Sequence, residues 1–245
     1  MNSTADKTTE ATTDTEPRIF DLADSDVREL NSELHAPTSN SYVVRNPRGA
    51  HAVAAGVHDD IEVRIEDDVG YFCAGMNQRA HIRVEGSAGP GVAENMMSGS
   101  VWVTDDASQS AGATAHGGLL VIEGNASTRC GISLKGADIV VHGNIGAMSA
   151  FMAQAGRIVV CGNAADGLGD SIYEARIYIR GTVGELGADC IEKEMRSEHR
   201  DELAELLRQS GKADEAGDEA YLSGFRRYGS GRTLYHFNSD QSGSY

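Results

Sequence analysis

The side chains of this chain most able to do chemistry are eight histidines, four cysteines and a large excess of carboxylates. A catalytic or metal site needs such groups at defined spacing: two histidines a helical turn apart for zinc, C-x-x-C pairs for zinc or redox work, or two acids that divide donor and acceptor roles. Cys73, Cys130, Cys161 and Cys190 lie tens of residues apart and form no such pair. His51 and His58 have no second pair at ligand spacing, and His116 and His142 stand alone. H-E-x-x-H, G-x-S-x-G and the phosphate-cradling G-x-x-x-x-G-K-[ST] do not occur. There remain the adjacent carboxylates Asp67/Asp68 and Asp105/Asp106, and two glycine-rich runs, GSAGPG from Gly86 to Gly91 and DGLGD from Asp166 to Asp170.

A repeat absorbs these. Steps of nineteen from Val63 give Val63, Ile82, Val101, Leu120, Ile139, Ile158 and Ile177, and two positions on come Ile65, Val84, Val103, Ile122, Val141, Val160 and Ile179. Residues i and i+2 share a face of a strand, and β-branched side chains suit a pleated surface. The residues between them face outward: Arg64, Arg83, Trp102, Val121, Val140, Val159 and Tyr178. A turn follows, with glycines at 86, 124, 143, 162 and 181, Asp67 and Asp105 in the same column, and Asp, Asn, Ser or Thr in the next. Gly, Asn and Asp tolerate left-handed backbone or cap it, so the paired acids read as turn formers. A small inward column, Ala74, Ala93, Gly112, Gly131, Ala150, Gly169 and Ala188, suits a narrow interior.

A nineteen-residue coil leaves little room for a helical crossover beside its strand and turns, so equivalent strands stack by direct winding. The expected fold is an all-β solenoid, a right-handed parallel β-helix of about seven coils. A left-handed hexapeptide solenoid has a period divisible by six, which nineteen is not. Polysaccharide-cleaving β-helices use longer coils and wide basic grooves.

The pattern stops where Asn46 and Pro47 meet strand positions and where Arg196 would point inward. Residues 61–190 are therefore the solenoid and 17–60 its N-terminal cap, with a short helix around Asp26 to Glu33 and a strand at Tyr42 to Val44, after a disordered tail over 1–16. Residues 191–245 form a helix from Ile191 to Gln209, a linker from Lys212 to Glu219 and a tail. In that tail Tyr221, Phe225, Tyr228, Tyr235 and Phe237 mix with Arg226, Arg227 and Arg232, a composition of interfaces or of an intramolecular cover.

Thirty-seven acidic against twenty-one basic residues, a formal charge of −16, argue against nucleic acid and anionic membrane as partners. Only four of the cations are lysines, a balance that also suits solubility in concentrated salt. Met1 to Glu16 holds no apolar stretch of signal-peptide type and no eighteen apolar residues run together, so the expected compartment is the cytoplasm.

The strand-turn units IRVEG, VIEGN, VVHGN, VVCGN and IYIRG, with the alternating small residues of GYFCAGMNQRA and GGLLVIEGNASTRCG, resemble the GXGXG β-helix domain of glutamate synthases over roughly Val44 to Ile191. A free-standing chain ending in GFRRYGSGRTLYHFN (Gly224 to Asn238) is similar to the β-helix subunit of the methylamine-glutamate N-methyltransferase (N-methylglutamate synthase) family. A subunit of a true glutamate synthase and the β-helix subunit of formylmethanofuran dehydrogenase are related alternatives. The resemblance implies a structural subunit with no catalytic, cofactor-binding or metal-binding residue of its own. Its partners would be an amidotransferase-like subunit and a barrel subunit carrying FMN and an iron-sulfur cluster. The competing class is an autonomous β-helix enzyme acting on a polysaccharide.

Overall fold

The computed structural model describes residues 16–232. The chain opens with β1 (Arg18–Asp21), α1 (Val27–Leu34) and β2 (Ser41–Arg45). Seven strands then follow one coil apart: β3 (Glu62–Glu66), β4 (His81–Glu85), β5 (Ser100–Val103), β6 (Leu119–Ile122), β7 (Lys135–Val141), β8 (Ala155–Val160) and β9 (Arg176–Ile179). The C-terminal part holds β10 (Cys190–Lys193), α2 (Ser197–Gln209), α3 (Ala213–Gly217), α4 (Glu219–Leu222) and β11 (Arg226–Ser230). From β1 to β9 each strand pairs in parallel with the next, and from β3 onward the partners are nineteen residues apart: Val63 with Ile82, Val101 with Leu120, Ile158 with Ile177. The protein is a parallel β-solenoid, and both aliphatic columns are buried in one continuous core.

Two further ladders close each coil. Isolated bridges stack Val69, Ala88, Ala107, Ala126, Ile145, Ala164 and Val183. The third side alternates in backbone hand, with positive φ at residues such as 72, 74 and 76, 91, 93 and 95, or 148, 150 and 152. Alternation curls the chain through the corner while keeping the middle residue inward, so that residue must be small. A Cβ on Gly131 would meet Ile158 Cδ1 at 2.6 Å. The turn glycines have a different cause from the left-handed one expected: Gly162 is not in the left-handed region, but a Cβ there would lie 2.5 Å from the Gly143 carbonyl one coil below. Close stacking demands them.

Both ends depart from the expectation. The segment read as a cap contains another rung, because β2 pairs with β3 at an offset of twenty-one, Tyr42 with Val63 and Val44 with Ile65. The backbone after it stacks in the same way, Gly49 N donating to Asp68 O and Ala52 N to Tyr71 O. Two extra residues moved Asn46 and Pro47 onto the counted positions, so the nineteen-residue step missed a coil that is there. Leu30 and Leu34 of α1, fully buried, plug the open end, and an Asp26/Glu29 capping box starts that helix. At the other end β11 runs antiparallel between β9 and β10, setting Tyr228 on Ile177 where the next parallel strand would lie. Unpaired edges recruit other chains, and this insertion covers the β9 edge, leaving the four-residue β10 as the edge of the sheet.

The helix expected from Ile191 starts only at Ser197, because residues 190–193 pair with β11. The expected linker from Lys212 to Glu219 contains α3, with Ala216 buried, and Leu222 of α4 just beyond it is buried too. Together α2 to α4 and Phe225 lie over the outward faces of Val140, Val159 and Tyr178 as a second apolar layer. The tail through Arg232 is thus an intramolecular cover, while Tyr235 and Phe237 lie outside the described residues.

Candidate functional site

The outward column of the main sheet is the feature from which a site can be built. Alternation along each strand puts Arg64, Arg83, Trp102, Val121, Val140, Val159 and Tyr178 in one row. The last four are buried, while Arg64 and Trp102 are half-buried and Arg83 is exposed. Covered and open halves meet at Trp102, where a Cβ on Gly211, just past α2, would lie 3.3 Å from the indole. The change from Arg, Arg, Trp to Val, Val, Val, Tyr was a signal in the sequence that a second layer covers only the later coils.

On the covered half Glu202 of α2 pins the helix to the sheet. It accepts from Arg176 Nη2 at 2.7 Å and Nε at 3.0 Å, from the Tyr178 hydroxyl, and from Arg157 Nη1 at 3.4 Å. Burial alone would raise its carboxyl pKa, but hydrogen bonds from Tyr178 and Arg176 and the charges of Arg176 and Arg157 hold it below the ordinary value. Burial, reinforced by the bond to Glu202, pushes the Tyr178 phenol well up.

The open half is bare of such a layer. The Arg83 guanidinium sits 5.4 Å from the Trp102 ring centroid, and Trp102 Nε1 donates to Glu123 Oε1. Arg64 bridges Glu66 and Glu85 at 2.8 Å each. A groove of about 310 Å³ runs across this face between Arg64, His81, Arg83 and Trp102. Arginine and tryptophan at such a place can supply cation-π and guanidinium contacts to a partner surface.

The other sequence candidates are scattered through the frame. His51 Nδ1 accepts from Tyr71 N at 3.0 Å and its ring stacks on Tyr71, and the His58 ring centroid lies 5.8 Å from that of His35. His116 is exposed, and His142 lies between sheet and helices, where burial and Lys212 lower its pKa. Asp68 Oδ1 accepts from Ser87 N, and Asp106 Oδ1 from Asn125 N, both at 2.7 Å, one coil on in each case. The Asp106 bond starts a ladder that continues through Asn125, Asn144 and Asn163 to Thr182, while the Asp68 bond ends at Ser87. Cys73 and Cys130 are buried, their thiols pushed up to about 12 by desolvation, and Cys190 to about 11. Among the described residues no three His, Cys, Asp or Glu side chains converge to hold a metal ion, and four separated thiols do not fit an iron-sulfur cluster. No helix among those residues is long and apolar enough to cross a membrane.

No protein-family model matches the chain, and no solved structure matches it significantly. It is similar to Protein GlxC of Rhizobium meliloti (strain 1021), 58% identical over 231 residues that span 93% of this chain and 99% of that protein. Identity at that level across both whole lengths makes this β-solenoid a member of the Protein GlxC family.

Proposed function

We propose that this chain is the structural, non-catalytic β-helix subunit of a glutamate-synthase-like complex, and specifically of an N-methylglutamate synthase in the cytoplasm. The observation that carries the reading is the half-open strand face. The chain uses its own helices to cover the outward column from Val140 to Tyr178 and leaves Arg64 and Arg83 uncovered, with Trp102 half-buried at the boundary. An arginine- and tryptophan-bearing surface continuous with an apolar layer suits a docked subunit better than a soluble polymer substrate. The likeness of its strand-turn units to the glutamate-synthase β-helix, and of Gly224 to Asn238 to the tail of the N-methylglutamate synthase β-helix subunit, supports the same reading. FMN and an iron-sulfur cluster would then sit on a barrel partner, and an amidotransferase-like partner would supply the nitrogen chemistry.

The test is purification of the tagged full-length chain from its native source. A yellow, iron-containing assembly with two larger chains, active in forming N-methylglutamate, is the expected outcome. Recovery as a colourless monomer with activity of its own would overturn the proposal.

A further inference from the structure

We propose that the C-terminal end of the solenoid carries a binding site for a small oxyanion, a carboxylate or phosphate group held by Arg176, Lys193, Arg227 and Arg232 above Gly229. The site is distinct from the open strand face and does not depend on the docking reading.

In a chain of charge −16, four cations line one cleft of about 470 Å³ and a single carboxylate, Glu174, lines it with them. That volume lies in the range of about 300–1,000 Å³ typical of small-molecule sites. The capping strand creates the arrangement. Tyr228 points into the core, so Arg227 and Gly229 point outward, and antiparallel pairing sets Lys193 directly opposite Arg227. Like charges directly opposite on a sheet are destabilising, and an anion between them reverses the sign of that interaction.

The cations differ in what already satisfies them. Arg176 is paired with Glu202, and Arg232 with Asp189. Arg227 donates Nε to the Glu194 carbonyl at 2.9 Å, and among the described residues neither it nor Lys193 has a carboxylate within ion-pair distance. Burial first, and then the charges of Arg196 and Arg176, push the Arg227 guanidinium below its ordinary pKa, against the opposing effect of Tyr178 and Glu194. A guanidinium fork matches the paired oxygens of a carboxylate or phosphate.

Gly229 forms the floor. A Cβ there would lie 3.6 Å from the Ala175 carbonyl and 3.9 Å from Lys193 Cγ, ordinary contacts, so packing does not demand a glycine. Its effect is to keep the space between the cations open.

The experiment is calorimetric titration of the full-length chain at low ionic strength with inorganic phosphate, succinate and acetate as separate probes. Saturable binding is expected, and the order among the three probes tells phosphate from carboxylate and dianion from monoanion. Arg227→Gln should weaken it by roughly tenfold or more, the loss of one charge-assisted hydrogen bond. Gly229→Val, a β-branched residue compatible with a strand, should fill the floor and abolish binding with the melting temperature little changed. Arg64→Gln, at the opposite end of the solenoid, should leave binding as it was. Absence of saturable binding by any probe, unchanged affinity in Gly229→Val, or an equal loss in Arg64→Gln would each overturn the proposal.

Discussion

The two halves of the outer strand face share one backbone ladder and one side-chain row, yet one half is a buried interface and the other a solvent face. Between β3 and β5 the row is Arg64, Arg83 and Trp102, tied by surface ion pairs and a cation-π contact. Between β7 and β9 it is Val140, Val159 and Tyr178, sealed under Leu203, Leu206 and Leu207. A solenoid therefore separates two jobs that a globular domain mixes. The inward columns fix the fold, and the outward column alone decides what lies on top.

The largest effect that tests this contrast comes from exchanging the two kinds of residue. Val159→Arg places an unpaired charge beneath α2 and should cost more than about 4 kcal/mol, whereas Arg83→Val in the same column should change stability by about 0.5 kcal/mol or less. Thermal or denaturant unfolding of both variants measures the difference, and equal costs would show that the halves are not distinct.

Next is the clamp. Glu202→Ala leaves Arg176 and Arg157 facing each other across the layer without their shared carboxylate and should cost about 2 kcal/mol, less than a fully buried pair because both guanidinia reach water. Since the Glu202 pKa is depressed in the folded state, its contribution is present above the ordinary value of 4.5 and is lost as pH falls through the lower folded value. The protection factors of the α2 amides, taken relative to the intrinsic exchange rate at each pH, should therefore fall at acid pH in the parent chain, and Glu202→Gln should diminish that fall.

A smaller effect serves as the internal control. Asp68→Ala, in an open coil, removes one acceptor, and Asn144→Ala, in a later coil, removes one acceptor and one amide donor of the turn ladder; they should cost about 1 and about 1–2 kcal/mol in chemical denaturation. Trp102→Ala should likewise have little effect on the isolated chain, below about 1 kcal/mol, because the indole is only half-buried. The same change should nonetheless weaken co-purification with partner subunits about tenfold or more if the open face docks them.

Much of this was legible in the sequence because stacking is a local rule repeated. Val63 to Ile177 and Ile65 to Ile179 recur at a fixed step, and each residue's neighbours across the sheet are set by that step alone. What escaped has one physical origin in each case. The rung at β2 was hidden by two inserted residues, which leave the backbone pairing intact but shift the count. The placement of β11 was hidden because antiparallel pairing of residues 226–228 with 177–179, and of 227–230 with 190–193, obeys no period. The cationic cleft went unread with it, since Lys193 and Arg227 become neighbours only through that pairing. The turn glycines were found for a reason the structure replaces: crowding by the coil below, not left-handed backbone.

The antiparallel closure by β11 also gives the molecule a direction in time. Synthesis runs from the N-terminus, so α1 can plug the first rung as soon as the early coils are made, and every later coil has a finished template to wind upon. The edge of β9 has no such provision. Its partner lies some fifty residues downstream, beyond three helices, and until Arg226 to Ser230 are made that edge remains a naked strand in the crowd around the ribosome. A chain interrupted after α4 would be a finished solenoid with an open end, and the species to expect from it is an end-to-end polymer rather than an unfolded protein.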